Sequence, residues 1–199
     1  DMRTLIRKFG RQFYSFEVKK KLEKLIAEYN PDIAYLIQIR NKLSPSVIDS
    51  CKKHNIPIVH RLSDYHLICP RASLYNETIN SLCYKCVTGN LINSVRYKCI
   101  RSSYTLSLIK LLSIKFSRLI KIYDKVDRFI CTTSFMRDLL VEAGYNKNKL
   151  EIVPTFSKPL DIKHLNVQKE EGQYILYFGR VTKIKGIKLL LANNGVFVS

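Results

Sequence analysis

The chain has 199 residues, 46% apolar and 25% charged, the balance of a soluble globular protein long enough to bury a core without disulfides. No stretch approaches the ~18 uninterrupted apolar residues of a membrane span, and the opening DMRTLIRKFGRQF lacks an apolar signal core, so neither a transmembrane helix nor secretion is expected. Lys and Arg outnumber Asp and Glu by 34 to 16, and the resulting +18 predicts attraction to an anion, whether nucleic acid, an acidic bilayer or a phosphorylated small molecule, or else a basic solubilising surface.

From Tyr14 to Tyr29, apolar Phe16, Leu22, Leu25 and Ile26 recur among Lys and Glu at helical spacing, and Asn30-Pro31 ends the helix. Asp32 to Ile37 is a short apolar run of strand length, suited to the inside of a parallel sheet. A helix follows from Pro45 to His54, with Ser44 as N-cap and Pro45 at its first position, and Ile56 to Val59 is the next strand. This β-α-β unit with short connections sets the class as α/β. Periodicity disappears from Ser63 to about Asn90 and returns as helix between Leu91 and Tyr123. A strand from Asp127 to Thr132, a helix from Thr133 or Ser134 to a stop at Gly144, and a strand from Leu150 to Val153 complete a first domain over residues 1–155. The polar, aperiodic residues 156–172 read as a linker, and the strand Tyr174 to Phe178 opens a second domain over 173–199, with a helix starting near Ile187.

Six cysteines without a secretion signal point to reduced thiols. Cys51 and Cys131 sit in apolar patterns and read as core. Cys83 and Cys86 form a C-x-x-C pair, with Cys69 thirteen intervening residues before it and Cys99 twelve after. Four such thiols can close a structural zinc site, stay unligated in an ordered loop, or form a disulfide or redox pair. The nearby His60 and His66 read as structural histidines rather than ligands.

Two further features carry chemistry. In the turn after Phe178, Gly179 permits close backbone approach, Arg180 offers a forked guanidinium and Lys185 a second cation beside a helix start, an arrangement suited to phosphate. The competing reading makes both cations solvated loop charges. Between Leu91 and Lys125 there are eight basic residues and one acidic one. On a helix over 106–125, Lys110, Lys115, Arg118, Lys121 and Lys125 fall within an arc of about 140°, opposite Leu108, Leu112, Phe116, Leu119 and Tyr123. The functional reading is peripheral attachment to an anionic bilayer. The alternative puts the apolar side in the core and the lysines in water.

YILYFGRVTKIKG resembles the strand and loop that open the donor domain of family-four glycosyltransferases, which read GR, three or four residues, then KG. LSPSVIDSCKKHNIPIV, SDYHLICPR and VDRFICTTSFMRDLLVEAGYNKNKLEIVPTF resemble, in the family's order, the helix and strand before the acceptor-side catalytic loop, that loop, and the end of the first domain. The resemblance spans about Tyr29 to Lys188. It implies a GT-B fold of two Rossmann-like domains, with Gly179, Arg180 and Lys185 on the donor diphosphate. It also implies transfer of a hexose-type unit from a UDP- or GDP-sugar to a bacterial polysaccharide or lipid-linked acceptor, with retained configuration and no cofactor required for catalysis. The place implied is the cytoplasm, peripheral to the inner face of the plasma membrane. Many members carry His-Asp where this chain has Ser63-Asp64; Asp64 keeps its place, to orient an acceptor hydroxyl or to cap the loop. The family's first strand and its ribose-binding glutamates would precede Asp1 and follow Ser199, so the chain is expected to be truncated at both ends and inactive alone. The alternative from charge is a nucleic-acid-binding protein, against which most of the 12 Tyr and 9 Phe lie in apolar patterns and no recognition motif is present. A non-catalytic membrane- or acceptor-binding remnant is the third.

Overall fold

The computed structural model describes residues 13–39, 43–88, 90–156 and 177–192. The backbone falls into two compact units, divided between Thr155 and Phe156.

The first unit is α/β, with helices flanking a four-stranded parallel sheet, compatible with a Rossmann-like fold. Helix α1 (Phe16–Tyr29) begins at Ser15, whose hydroxyl accepts the Val18 N–H, and ends at Asn30, left-handed at φ 41°, whose N–H bonds the Ile26 carbonyl. Strand β1 (Ala34–Ile37), helix α2 (Ser46–Lys53) and strand β2 (Ile58–Leu62) follow. Helix α2 starts one residue later than expected, because Ser44 is left-handed at φ 67° and Pro45 takes the cap position. The Ser44 hydroxyl accepts the N–H groups of both Ser15 and Ser46, and Ser46 Oγ donates to the Ser15 carbonyl, so buried serines tie the starts of α1 and α2 together. After an irregular stretch come strand β5 (Arg128–Cys131), helix α5 (Ser134–Glu142) and strand β6 (Leu150–Ile152). Thr133 caps α5, and Gly144 at φ 90° closes it, with the Tyr145 N–H returning to the Leu140 carbonyl.

The sheet order is β1-β2-β5-β6, every pair parallel. Register aligns Leu36, His60, Phe129 and Leu150 across the four strands, a row on the face that carries the core. Strand β1 was expected inside the sheet. It is instead the edge strand among the described residues, and Tyr35 and Ile37 on its other face are 52% and 49% exposed.

The expected helix from Leu91 to Tyr123 is broken. A short α3 (Asn93–Arg96) gives way to turns, α4 runs only from Tyr104 to Leu119, and Lys121, left-handed at φ 50°, separates it from a 3-10 turn at Ile122–Lys125. Lys121, Tyr123 and Lys125 therefore do not continue the face of α4. The reading of its apolar side as core is also overturned. Leu112 and Leu119 are 47% and 79% exposed, with Tyr104 and Leu108 beside them, while Ser107, Leu111, Ser113, Ile114 and Ser117 are buried. Serines let the helix approach closely at little desolvation cost, because the Ser107 hydroxyl donates to the Ser103 carbonyl and accepts the Ile100 N–H. Leu111 and Ile114 pack with Cys86 and Leu91 in a satellite core.

In the second unit a 3-10 turn at Lys183–Lys185 precedes α6 (Ile187–Ala192). Residues 157–176, covering most of the expected linker and most of the strand before the phosphate turn, lie outside the described residues. No helix among the described residues is long and apolar enough to cross a membrane.

Candidate functional site

In open parallel sheets, ligands bind beyond the carboxyl ends of the strands, because the loops there are free to carry chemistry while the strands hold them. Strand β2 delivers Ser63 and Asp64 to that rim; Ser63 is exposed and Asp64 half-buried. One carboxylate oxygen of Asp64 accepts the backbone N–H of His66 at 3.1 Å and lies 2.7 Å from the ring Nδ1 of the same residue. The turn continues through the Ile68 and Cys69 N–H groups, both bonded to the Tyr65 carbonyl, and through the Tyr65 N–H, bonded to the Ala72 carbonyl. Asp64 is thus held at a defined place on a tightly folded loop.

Three aromatic residues and one arginine stand on the same rim, and none was singled out by sequence. Phe135, in the first turn of α5, meets Tyr65 and Tyr84 edge-on, with ring centroids 6.3 and 6.4 Å apart. Burial pushes the Tyr65 hydroxyl up, with Tyr84 adding to it, so the Tyr65 phenol stays a neutral donor at physiological pH. Arg61, on β2, donates to Thr155 Oγ1 at 2.9 Å, linking the ends of β2 and β6. A half-exposed aromatic corner beside a carboxylate suits a carbohydrate, which offers hydroxyls to the acid and C–H faces to the rings. No local signal could have found this group, since 70 residues separate Tyr65 from Phe135.

Behind the rim, His60 is fully buried, and neither of its ring nitrogens has a partner among the described residues. Its ring stacks on Tyr123, with centroids 6.2 Å apart, and lies 5.7 Å from that of His66. Burial, reinforced by His66 and opposed by Asp64, pushes its pKa down to about 3, which keeps it neutral. His60 is therefore a core residue, in keeping with its reading as a structural histidine. His66 also lines a cavity of about 40 Å3 with Ser117, Arg118 and Tyr123, large enough for one water.

The four clustered cysteines, Cys69, Cys83, Cys86 and Cys99, are all free thiols, brought near one another by the irregular segment after β2. In the second unit, Gly179 adopts φ 153° and Gly186 φ 74°. A Cβ on Gly179 would lie 3.0 Å from the Tyr177 hydroxyl, which itself donates to the Arg180 carbonyl. Arg180 and Lys185 are exposed at either end of this turn.

Compared with protein-family models, with curated proteins and with solved structures, the chain has no match in any of the three.

Proposed function

We propose that this chain carries the acceptor-side domain and the first donor-phosphate turn of a GT-B glycosyltransferase. The reaction is transfer of a hexose-type unit from a UDP- or GDP-sugar to a polysaccharide or lipid-linked acceptor. The observation that carries the reading is the placement of Asp64 at the carboxyl end of β2, held by His66 and beside the Tyr65–Phe135–Tyr84 corner. In the transfer the bond from the anomeric carbon to the diphosphate breaks and a bond to the acceptor oxygen forms. The hydroxyl proton leaves with the diphosphate, which accounts for retained configuration when both events occur on one face of the sugar. Asp64 orients that hydroxyl. Arg180 and Lys185 meet the charge growing on the diphosphate, an interaction stronger in the transition state than in the ground state.

The exposed stripe of α4 supports a lipid-linked acceptor. Tyr104, Leu108, Leu112 and Leu119 face outward with Lys115 among them, on a chain of net charge +18. Such a stripe would settle its apolar side chains at the acyl boundary of an anionic leaflet and leave Lys115 at the headgroups.

Calorimetric titration at moderate salt with UDP- and GDP-sugars tests the donor side. Saturable binding by the chain, abolished in Arg180→Ala/Lys185→Ala, is the expected result. Absence of binding both here and in a chain extended at both ends overturns the reading.

A further inference from the structure

The segment between β2 and α4, residues 63–103, has little regular structure of its own. It contains strands β3 (Tyr75–Asn76) and β4 (Ser81–Leu82), paired antiparallel, and the single turn of α3. Six of its non-glycine residues, Ala72, Leu74, Asn80, Lys98, Arg101 and Ser102, are left-handed. Each such residue costs of order 1 kcal/mol, so the fold of this segment must be held by something stronger than its own backbone preferences.

Local hydrogen bonds bring its four cysteines together. The Cys83 N–H donates to the Leu74 carbonyl at 2.8 Å, which sets the C-x-x-C strand against the chain that leaves Cys69. Arg71, two residues after Cys69, donates to the Cys99 carbonyl at 2.8 Å, and Asn76 Nδ2 approaches Cys99 Sγ at 4.0 Å. The Cys99 N–H is bonded to the Ser94 carbonyl, and a turn bond from the Val87 N–H to the Tyr84 carbonyl wraps around Cys86. Cys69 belongs to the main core and Cys86 to the satellite core, so the group bridges the two.

We propose that Cys69, Cys83, Cys86 and Cys99 form a structural zinc site that pins the 63–103 segment to the sheet and to α4.

The thiols also lie within electrostatic reach of one another. Burial, and then the neighbouring thiols Cys69, Cys99 and Cys83, hold the Cys86 thiol up to about 12. Burial, then Cys69 and Cys83, hold Cys99 up to about 11 against the pull of Arg71. A divalent cation bound among four such sulfurs would hold them as thiolates. Soft thiolates in a closed four-ligand set select zinc and leave no open position for catalysis, consistent with a structural role. Among the described residues no group of three or more His, Cys, Asp or Glu is arranged to hold a metal ion, so binding requires the four thiols to draw together. The assignment does not depend on sugar transfer and stands or falls apart from it.

The test is metal analysis of the chain purified without chelator, followed by replacement of the metal with cobalt(II). About one zinc per chain is expected, and the cobalt form should absorb as a tetrahedral thiolate complex, with sulfur-to-metal charge transfer in the near ultraviolet. Cys83→Ser/Cys86→Ser should lower bound metal at least tenfold, whereas Cys51→Ser should leave it unchanged. A readout on the unmodified chain guards against misfolded variants: chelation should expose four additional thiols to modification and loosen the 63–103 segment to protease. Absence of zinc with no cobalt–thiolate absorption, a Cys83–Cys86 disulfide in the freshly isolated chain, or iron with acid-labile sulfide in place of zinc would each overturn the proposal.

Discussion

Oδ1 of Asp64 receives both polar groups that His66 turns toward it, the backbone N–H at 3.1 Å and the ring Nδ1 at 2.7 Å. The carboxylate that the proposed reaction needs is therefore also the group that closes its own loop. Asp64→Ala should lower stability by about 1–2 kcal/mol in urea unfolding, since it strands a half-buried N–H, whereas Asp64→Asn keeps an acceptor and should unfold near the wild-type midpoint. Equal stability of the Ala variant and the wild type would mean that the loop is held without Asp64.

Acid should destabilise the first unit through His60. Its folded pKa is about 3 against an ordinary value of 6.5. Between those values the unfolded chain binds a proton that the folded chain does not, so stability is complete above pH 6.5 and falls as pH drops toward 3. The slope from this residue is at most about 1.4 kcal/mol per pH unit. His60→Leu, which also removes two unpartnered ring nitrogens, should flatten this part of the profile in chemical denaturation measured from pH 7 to pH 4.

Asp127 joins three elements. It bonds Lys52 of α2 at 2.7 and 2.8 Å, accepts the Ile58 N–H of β2 at 2.7 Å, and directly precedes β5. Burial raises its carboxyl, but the Lys52 and Ile58 hydrogen bonds and the charges of Lys52 and Lys149 outweigh that and hold it below the usual range. Its stability contribution is present above the ordinary carboxylate pKa and lost as pH falls through the depressed value. Because the pair is partly exposed, Lys52→Met should cost below about 1 kcal/mol, and Asp127→Ala more, about 1–2 kcal/mol, because it also removes the Ile58 acceptor. Thermal unfolding of the two variants should rank them in that order.

The outward stripe of α4 leads to a surface prediction. The chain should co-sediment with vesicles containing anionic lipid and not with purely zwitterionic ones. Leu108→Asp/Leu112→Asp should weaken that binding roughly tenfold or more while leaving the unfolding temperature nearly unchanged, because both side chains face outward. Unchanged sedimentation of the double variant would remove α4 from the contact.

Local rules were sufficient for much of the framework. The order of the strands of the parallel sheet and the helices between them, the end of α1 at Asn30 and the stop at Gly144 each depend on a few adjacent residues whose backbone preferences act alike in any fold. The thiol group was legible as spacing, because C-x-x-C with outlying cysteines is a sequence pattern. Whether the four thiols converge depended on contacts such as Cys83 to Leu74 and Arg71 to Cys99.

The orientation of α4 was not legible, for a specific reason. Its sequence has apolar residues on two sides, Leu108, Leu112, Phe116 and Leu119 on one and Leu111 and Ile114 with serines on the other. Periodicity favours the richer side, but packing chose the side whose small serines admit close approach. The aromatic corner likewise arises from residues far apart in sequence, and only tertiary packing set Tyr65, Tyr84 and Phe135 side by side. The chain by itself determined its alternation of strands and helices, because those preferences are local; which helix face is covered and which side chains meet at the strand ends were decided by tertiary packing, because burial is a property of neighbours.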